Sequence, residues 1–373
     1  MGDPRDWIAV AALPDLGPAS IKRLWDHGWT PEKLFNSSLS DWQRLGLKKS
    51  TLNALNNYQC GSRNCLVSER VELALNWRGA ADDHSILAIT DPAYPTLLRE
   101  LTDPPPVLFV KGEVSCLNLP QIGVVGSRSA SVTGLGQAAT MAEYLSESGF
   151  VINSGLALGV DAAAHMAAVK SKRPTIAVLG TGVDRIYPSR NQSLAESILS
   201  NKGAWVSEFF PGTAPLASHF PRRNRIISGM SLGILVVEAA LRSGSLITAR
   251  MAMEQNREVF AIPGPLNNPL SKGCHQLIRE GAVLVESGAD IVRELGSLLG
   301  AIAPAKDEDS ASEPEYQVDS ELGSLLQCMG FEICSVDQIS QRSGLSVAKL
   351  SSMLVELELK GMISQTSSGY VRS

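Results

Sequence analysis

Between about residues 85 and 295, short and mostly apolar runs alternate with glycine turns and helix-length stretches. The runs fall at 107–110, 121–125, 150–153, 175–179, 204–207, 232–237, 259–262 and 283–285. Apolar runs of this length without polar alternation belong to strands covered on both faces. Separated by helical stretches, they specify a mostly parallel sheet with helices on both sides, an α/β fold with an extended Rossmann-like core. In such sheets ligands bind beyond the carboxyl ends of the strands, so the loops after these runs are where function is sought.

The flanking patterns differ. Residues 1–80 carry apolar positions at helical spacing, interrupted at Leu13-Pro14-Asp15-Leu16-Gly17-Pro18-Ala19. That turn between two helices resembles a helix-hairpin-helix element, whose backbone N–H groups can hold a phosphate, although Asp15 stands where the first hairpin glycine would be. A structural helix pair and a sterile-alpha-like interaction domain are the alternatives. Residues 321–373 predict a helix at 322–329, a short helix at 336–342 capped by Ser335, and a longer helix capped by Ser346. In the longer one Val347, Leu350, Met353, Leu354 and Leu357 fall at helical spacing; strands at 362–366 and 369–372 follow. Helix, turn, helix and hairpin in this order is a winged-helix pattern. Its presumed recognition helix balances Lys349 and Lys360 against Glu356 and Glu358, so protein docking competes with duplex binding as its role.

Four units follow: a helical domain at 1–80, a Rossmann-like core at 85–300, an acidic linker at 301–320 and a winged-helix domain at 321–373. With 373 residues, 44% hydrophobic and 19% charged, the chain has the balance of a globular protein. Its longest apolar stretch, 232–241, is broken by Gly233 and Glu238 and is too short to span a membrane. Asp3 and Asp6 occupy the place where a secretory signal would be basic, and the six cysteines form no CxxC pair. A cytoplasmic protein with reduced thiols, no membrane partner and no metal is expected. The net charge of −5 would argue against nucleic acid, but seven acids against one base, Lys306, lie between 303 and 321. The remainder of the chain is close to neutral and has room for a local basic groove.

Four core loops carry candidate chemistry. Gly126, Ser127 and Arg128 follow the 121–125 run: a glycine for close backbone approach, a helix start for an anion and a fixed positive fork. The paired glycines of GxGxxG are missing, so NAD or FAD is disfavoured and no cofactor is expected. Ser154 and Gly155 open a second anion-binding turn, after which Asp161 is placed to cap the helix carrying His165; a catalytic Asp161–His165 pair is the alternative. In the third loop Phe220 precedes Arg222, Arg223, Asn224 and Arg225, combining phosphate charge with flat groups for stacking on a single strand. Since the run leads into Ile226 and Ile227, at least one arginine is expected in the core. Ser243 and Gly244 repeat the strand, glycine turn, helix design after Glu238, an acid placed for general-base work. No Walker loop, nucleophile elbow or His/Cys cluster accompanies it, so an enzyme is not expected.

Together these motifs resemble the DNA-processing protein A (DprA, or Smf) family. The resemblance is carried by DPAYP at 91–95, VVGSRSAS at 124–131, SGLALGVDAAAH at 154–165, AVLGTGVDRIYPSRN at 177–191, SEFFPG at 207–212, FPRRNRIISG at 220–229, VVEAALRSGSLITAR at 236–250, AIPGP at 261–265 and GCHQLIREGA at 273–282. It implies a homodimeric single-stranded-DNA-binding protein of natural transformation, which protects incoming DNA and loads the RecA recombinase past single-strand-binding protein. By motif match Gly126, Ser127, Arg128, Ser154 and Gly155 would contact phosphate, and Phe220, Arg223, Asn224 and Arg225 would line the strand's path. Some members carry a lysine before the phenylalanine; here Ala217, Ser218 and His219 stand there, and His219 is the partial substitute. The rival from another class is a nucleotide-monophosphate phosphoribohydrolase of the LOG type, whose PGGxGTxxE hallmark is absent. A third is a transcriptional regulator acting through the winged helix.

Overall fold

The computed structural model describes residues 4–299, 320–330, 333–360, 362–366 and 369–372; the expected linker at 301–320 lies outside these apart from Ser320. The chain divides into two compact units, Met1–Pro304 and Ala305–Ser373.

The first unit is built on nine strands: β1 (His84–Ala88), β2 (Val107–Gly112), β3 (Gln121–Val125), β4 (Val151–Ser154), β5 (Thr175–Val178), β6 (Ala204–Ser207), β7 (Gly233–Val236), β8 (Glu258–Ala261) and β9 (Val283–Leu284). They form one sheet in the order β1-β2-β6-β5-β4-β3-β7-β8-β9. Strands β3 to β9 run parallel, and β2 is antiparallel to both β1 and β6. The α/β reading therefore holds with one addition, the edge strand β1, whose short, partly polar sequence carries little signal of its own.

Successive strand residues feed opposite faces. Ile122, Val124, Leu235 and Val237 pack with Ala138, Met141 and Leu145 of the helix Val132–Glu147 and with Ala164 and Ala168 of the helix Val160–Lys170. Val125, Ile234 and Val236 face the other way, toward Ile226, Ile227 and Met230 of the helix His219–Met230 and toward Leu246 and Ala249 of the helix Gly244–Glu254. Because both faces are covered, the strands read as continuous apolar runs.

Six helices between Pro4 and Gly79 precede β1, and their core is continuous with the second face of the sheet. Trp77 stacks on His84 at 4.2 Å and meets Phe109 of β2 edge-on at 5.8 Å. The interruption at residues 13–19 is a tight turn between the helices Pro4–Ala11 and Pro18–Asp26. Asp15 adopts φ +56° there, the left-handed conformation a glycine would supply; Ser50 donates to its carboxylate at 2.6 Å, and Thr51 donates to the Pro14 carbonyl at 2.8 Å.

In the second unit the helices Ser320–Met329, Val336–Ser343 and Val347–Leu359 are followed by an antiparallel pair, β10 (Ile363–Thr366) and β11 (Gly369–Arg372). Leu322, Leu325, Ile339, Leu350, Leu354 and Leu357 form its core. Ser335 closes a capping box with Gln338, whereas Ser346 occupies the cap position without a side-chain bond. The outer side of the longest helix exposes Val347, Val355 and Leu359.

One buried group ties stability to pH. Thr175 donates its hydroxyl proton to the Ile152 carbonyl at 2.7 Å, so its oxygen accepts from His165 Nδ1 at 2.7 Å, and His165 is buried as the Nδ1–H tautomer. Burial, together with the nearby Arg223 charge, lowers its pKa from 6.5 to about 3. The unfolded chain takes up a proton below about 6.5 that the folded chain refuses until about 3, so this histidine makes stability fall with pH across that window. Melting curves from pH 7 to 4.5 should show a steeper loss for wild type than for His165→Gln, and parallel curves would contradict the assignment.

Candidate nucleic-acid interface

The strand order reverses at β3 and β7, where β4, β5 and β6 lie to one side and β8 and β9 to the other. Loops leaving the carboxyl ends part there and open a crevice. Its volume is about 780 Å³, and the segments after six strands contribute: Gly126, Ser127 and Arg128 after β3; Ala157 and Asp161 after β4; Tyr187 after β5; Phe220, Arg223 and Asn224 after β6; Arg242, Ser243 and Gly244 after β7; Leu270 after β8. The helices beginning at Val160, His219 and Gly244 place residues of their first turns on its walls.

Close backbone packing shapes the phosphate-type turn. A side chain at Gly126 would strike Val160 at 2.6 Å, and Gly159, at φ +79°, lies against the backbone of Ser127 and Arg128. Arg128 is exposed, with its guanidinium 5.7 Å from the centre of the Phe220 ring. Tyr187, 46% exposed, meets the same ring at 5.6 Å and 44°. Cation and two aromatic faces thus form one surface at the mouth. Ser243 caps its helix by accepting from Ser245 N at 3.3 Å, and Gly244 has open space around its α-carbon.

Beneath them lies Arg223, 4% exposed, which donates to the Val178 carbonyl. Burial lowers its pKa to about 10, opposed by the Asp161 charge, so it remains a cation at neutral pH. Burial raises the Asp161 pKa, while Arg223 and backbone donors pull it down.

Several expected roles change. Asp161 does not cap its helix, whose cap position is Gly159; its carboxylate accepts from Gly155 N at 3.1 Å and Ala157 N at 3.3 Å and so shapes the preceding loop. It makes no pair with His165, which bonds Thr175. Ser154 is buried and donates to the Val124 carbonyl at 2.6 Å, leaving Gly155 as the part of that turn on a cavity wall. Arg225 turns away from the crevice, paired with Glu208 at 2.6 Å and Asp103 at 3.3 Å, because residues two apart within one helical turn, such as 223 and 225, project to opposite sides. His219 stacks on Phe209 at 4.1 Å and does not line the crevice. Glu238 accepts from Ser131 N at 2.8 Å and from Ser131 Oγ at 2.7 Å, so the would-be base is committed to holding a helix start.

Sequence reasoning missed Tyr187, Arg242 and Glu208. Tyr187 and Arg242 lie in the connections that follow β5 and β7, several residues beyond the strand ends and outside the glycine and serine positions that marked the anion-binding turns. Glu208 follows β6 directly, and only the fold brings it to Arg222 and Arg225. Among the described residues no cluster of His, Cys, Asp or Glu could hold a metal ion, and no helix is long and apolar enough to cross a membrane.

Fold and site define a Rossmann-like α/β protein with an arginine- and aromatic-lined crevice at its switch point, carrying a winged-helix unit. Residues 85–296 match the family model of DNA recombination-mediator protein A, and residues 309–369 that of the DprA winged helix domain; the protein belongs to the DNA recombination-mediator protein A family. Protein Smf of Escherichia coli K12 is 45% identical over 302 residues, spanning 81% of this chain and 80% of that one. DNA processing protein DprA of Streptococcus pneumoniae R6 is 50% identical over 207 residues, 56% of this chain and 73% of that one. The X-ray structure of DNA processing protein A from Streptococcus pneumoniae aligns with a TM-score of 0.67 at 37% identity, covering 79% of this chain and 99% of that one. A Helicobacter pylori DNA processing protein A structure, described for its single-stranded-DNA binding mode, aligns at 0.52 and 29% identity, covering 57% of this chain and 96% of that one.

Two substitutions test the scaffold. Glu208→Ala leaves buried Arg225 without its nearest counter-charge and should cost about 3–5 kcal/mol in chemical denaturation. Gly159→Ala should cost about 1–3 kcal/mol for backbone strain alone; a variant as stable as wild type would show that the turn relaxes freely.

Proposed function

We propose that the crevice binds single-stranded DNA through phosphates and stacked bases, and that the protein acts in DNA recombination as a binding protein and not as a catalyst. The observation that carries this reading is the surface formed by Arg128, Phe220 and Tyr187 beside three helix N-termini. Exposed charge meets phosphate, flat rings meet unpaired bases, and neither demands a sequence. The Helicobacter pylori relative, whose structure is described for its single-stranded-DNA binding mode, supports the choice of ligand. The phosphoribohydrolase alternative loses its base, because Glu238 is buried and occupied by Ser131. The winged helix, with balanced charge and an apolar outer side on its longest helix, favours docking over duplex readout. Homodimerisation, protection of incoming strands, displacement of single-strand-binding protein and loading of RecA belong to this reading through family membership.

Fluorescence anisotropy across a salt series, with single-stranded and duplex oligonucleotides of unrelated sequence, tests it. Wild type should prefer single strands with strong salt dependence. Arg128→Ala should weaken binding on every sequence and reduce the salt slope by about 0.7, the value for one phosphate contact on a single strand. Phe220→Ala should cost about 1–3 kcal/mol with the slope unchanged. Equal affinity for duplex, or binding indifferent to Arg128→Ala, would refute the assignment.

A further inference from the structure

The helix Val347–Leu359 of the winged-helix unit has two faces. Leu350, Met353, Leu354 and Leu357 are buried inward, in the core of that unit. On the opposite side Ala348, Ser352, Val355 and Leu359 are exposed and follow one another at spacings of four, three and four, the seam by which one helix packs along another. Val355 is 54% and Leu359 84% exposed. The hydroxyls of Ser351 and Ser352 donate to the Val347 and Ala348 carbonyls of their own helix, at 2.9 and 3.4 Å, so covering the seam leaves no serine donor unpaired. Residue size changes along it, with small Ala348 and Ser352 toward the amino end and larger Val355 and Leu359 toward the carboxyl end. Charge changes along its edge in the same way, where Lys349 and Glu356 occupy the same position one heptad apart.

We propose that this seam pairs, antiparallel, with the same seam of a second copy of the chain. Both gradients select that occupant and that direction. About a two-fold axis between Met353 and Leu354, Ala348 of one copy lies opposite Leu359 of the other and Ser352 lies opposite Val355, small against large, so the two helices close at an even separation. The same axis sets Lys349 beside Glu356 of the second copy, twice by symmetry. Glu356 bonds Lys360 of its own helix at 2.7 Å, an exposed pair that a second cation can join. A parallel pair would set Leu359 on Leu359, leave a gap at Ala348, and place lysine by lysine and glutamate by glutamate. Nucleic acid is the poorer occupant, because Glu356 and Glu358 stand along the seam with Lys349. The helix of 13 residues is about 20 Å long. A seam of that length falls short of the roughly 800 Å² per partner of a standard interface, so pairing is weak between free molecules and strengthens where copies are held close together. The inference gives the docking role of this unit an occupant and does not depend on what the crevice binds.

The test is sedimentation equilibrium of the full chain over a concentration series. Every substituted position is exposed, so the variants keep the fold, and any association through the first unit is common to all of them. Leu359→Glu should weaken the association of wild type by about ten-fold or more, the worth of burying one leucine side chain. Lys349→Glu and Glu356→Lys should each weaken it by about five-fold, and the double variant, which restores opposite charges across the axis, should recover the wild-type value. Disulfide trapping checks the register. A mixture of Ala348→Cys and Leu359→Cys proteins should give a peptide linked through the two introduced thiols, whereas either protein alone should give no link between its own introduced thiols. Association of Leu359→Glu equal to wild type would overturn the pairing, as would a double charge variant weaker than both single ones. Linkage in the single proteins as strong as in the mixture would overturn the antiparallel register. Duplex affinity lowered by Lys349→Glu with association unchanged would also overturn the proposal, by assigning the helix to DNA.

Discussion

The crevice is organised around one buried cation. Arg223 lies below the surface formed by Arg128 and Phe220, joined to β5 through the Val178 carbonyl and electrostatically to Asp161. Asp161 in turn holds the N–H groups of Gly155 and Ala157. Loops after β4, β5 and β6 are thereby set against each other by a single charge pair and its hydrogen bonds. A side chain at Gly155 would occupy the space of the guanidinium, which is why the turn after β4 carries a glycine there. The charge costs desolvation, offset by Asp161 and by the low-dielectric surroundings in which their attraction acts.

A second ionic cluster separates structural arginines from available ones. Glu208 draws Arg222 and Arg225 away, and Asp103 completes the pairing of Arg225. What remains at the crevice is Arg128 and Arg242 at the mouth and Arg223 beneath. A chain with a formal charge of −5 thus gathers three arginines at its crevice, while neighbouring carboxylates are bonded within the fold: Glu238 to Ser131, Glu208 to two arginines, and Asp161, itself on the crevice wall, to backbone amides.

Packing explains the remaining architecture. The helices before β1 bury Trp7, Trp42 and Trp77 in a core continuous with one face of the sheet, so they cover a surface that would otherwise expose β1 and β2. The winged-helix unit instead closes its own small core around Leu325, Ile339, Leu350 and Leu354. Its longest helix leaves Val347 and Leu359 outside that core, an apolar side without the basic residues that phosphate attraction requires.

Much of the fold was legible in residue order. Apolar runs marked eight of the strands within a residue or two, because a strand buried on both faces is apolar through its middle, with polar residues such as Lys111, Gln121, Ser207 and Glu258 near its ends. Gly126 and Arg128 were legible for a similar local reason: they directly follow β3, and the first residues beyond such a strand face the crevice. Where each charged side chain goes was not legible. Arg223 and Arg225 are two residues apart on one helix, yet one reaches the crevice and the other Glu208, and Glu238 meets a serine 107 positions away. Local sequence determined the elements and the loops that face the crevice. Only the tertiary structure decided which charges remain unpaired there, since a buried charge takes its partner from whatever the folded chain brings within hydrogen-bonding distance.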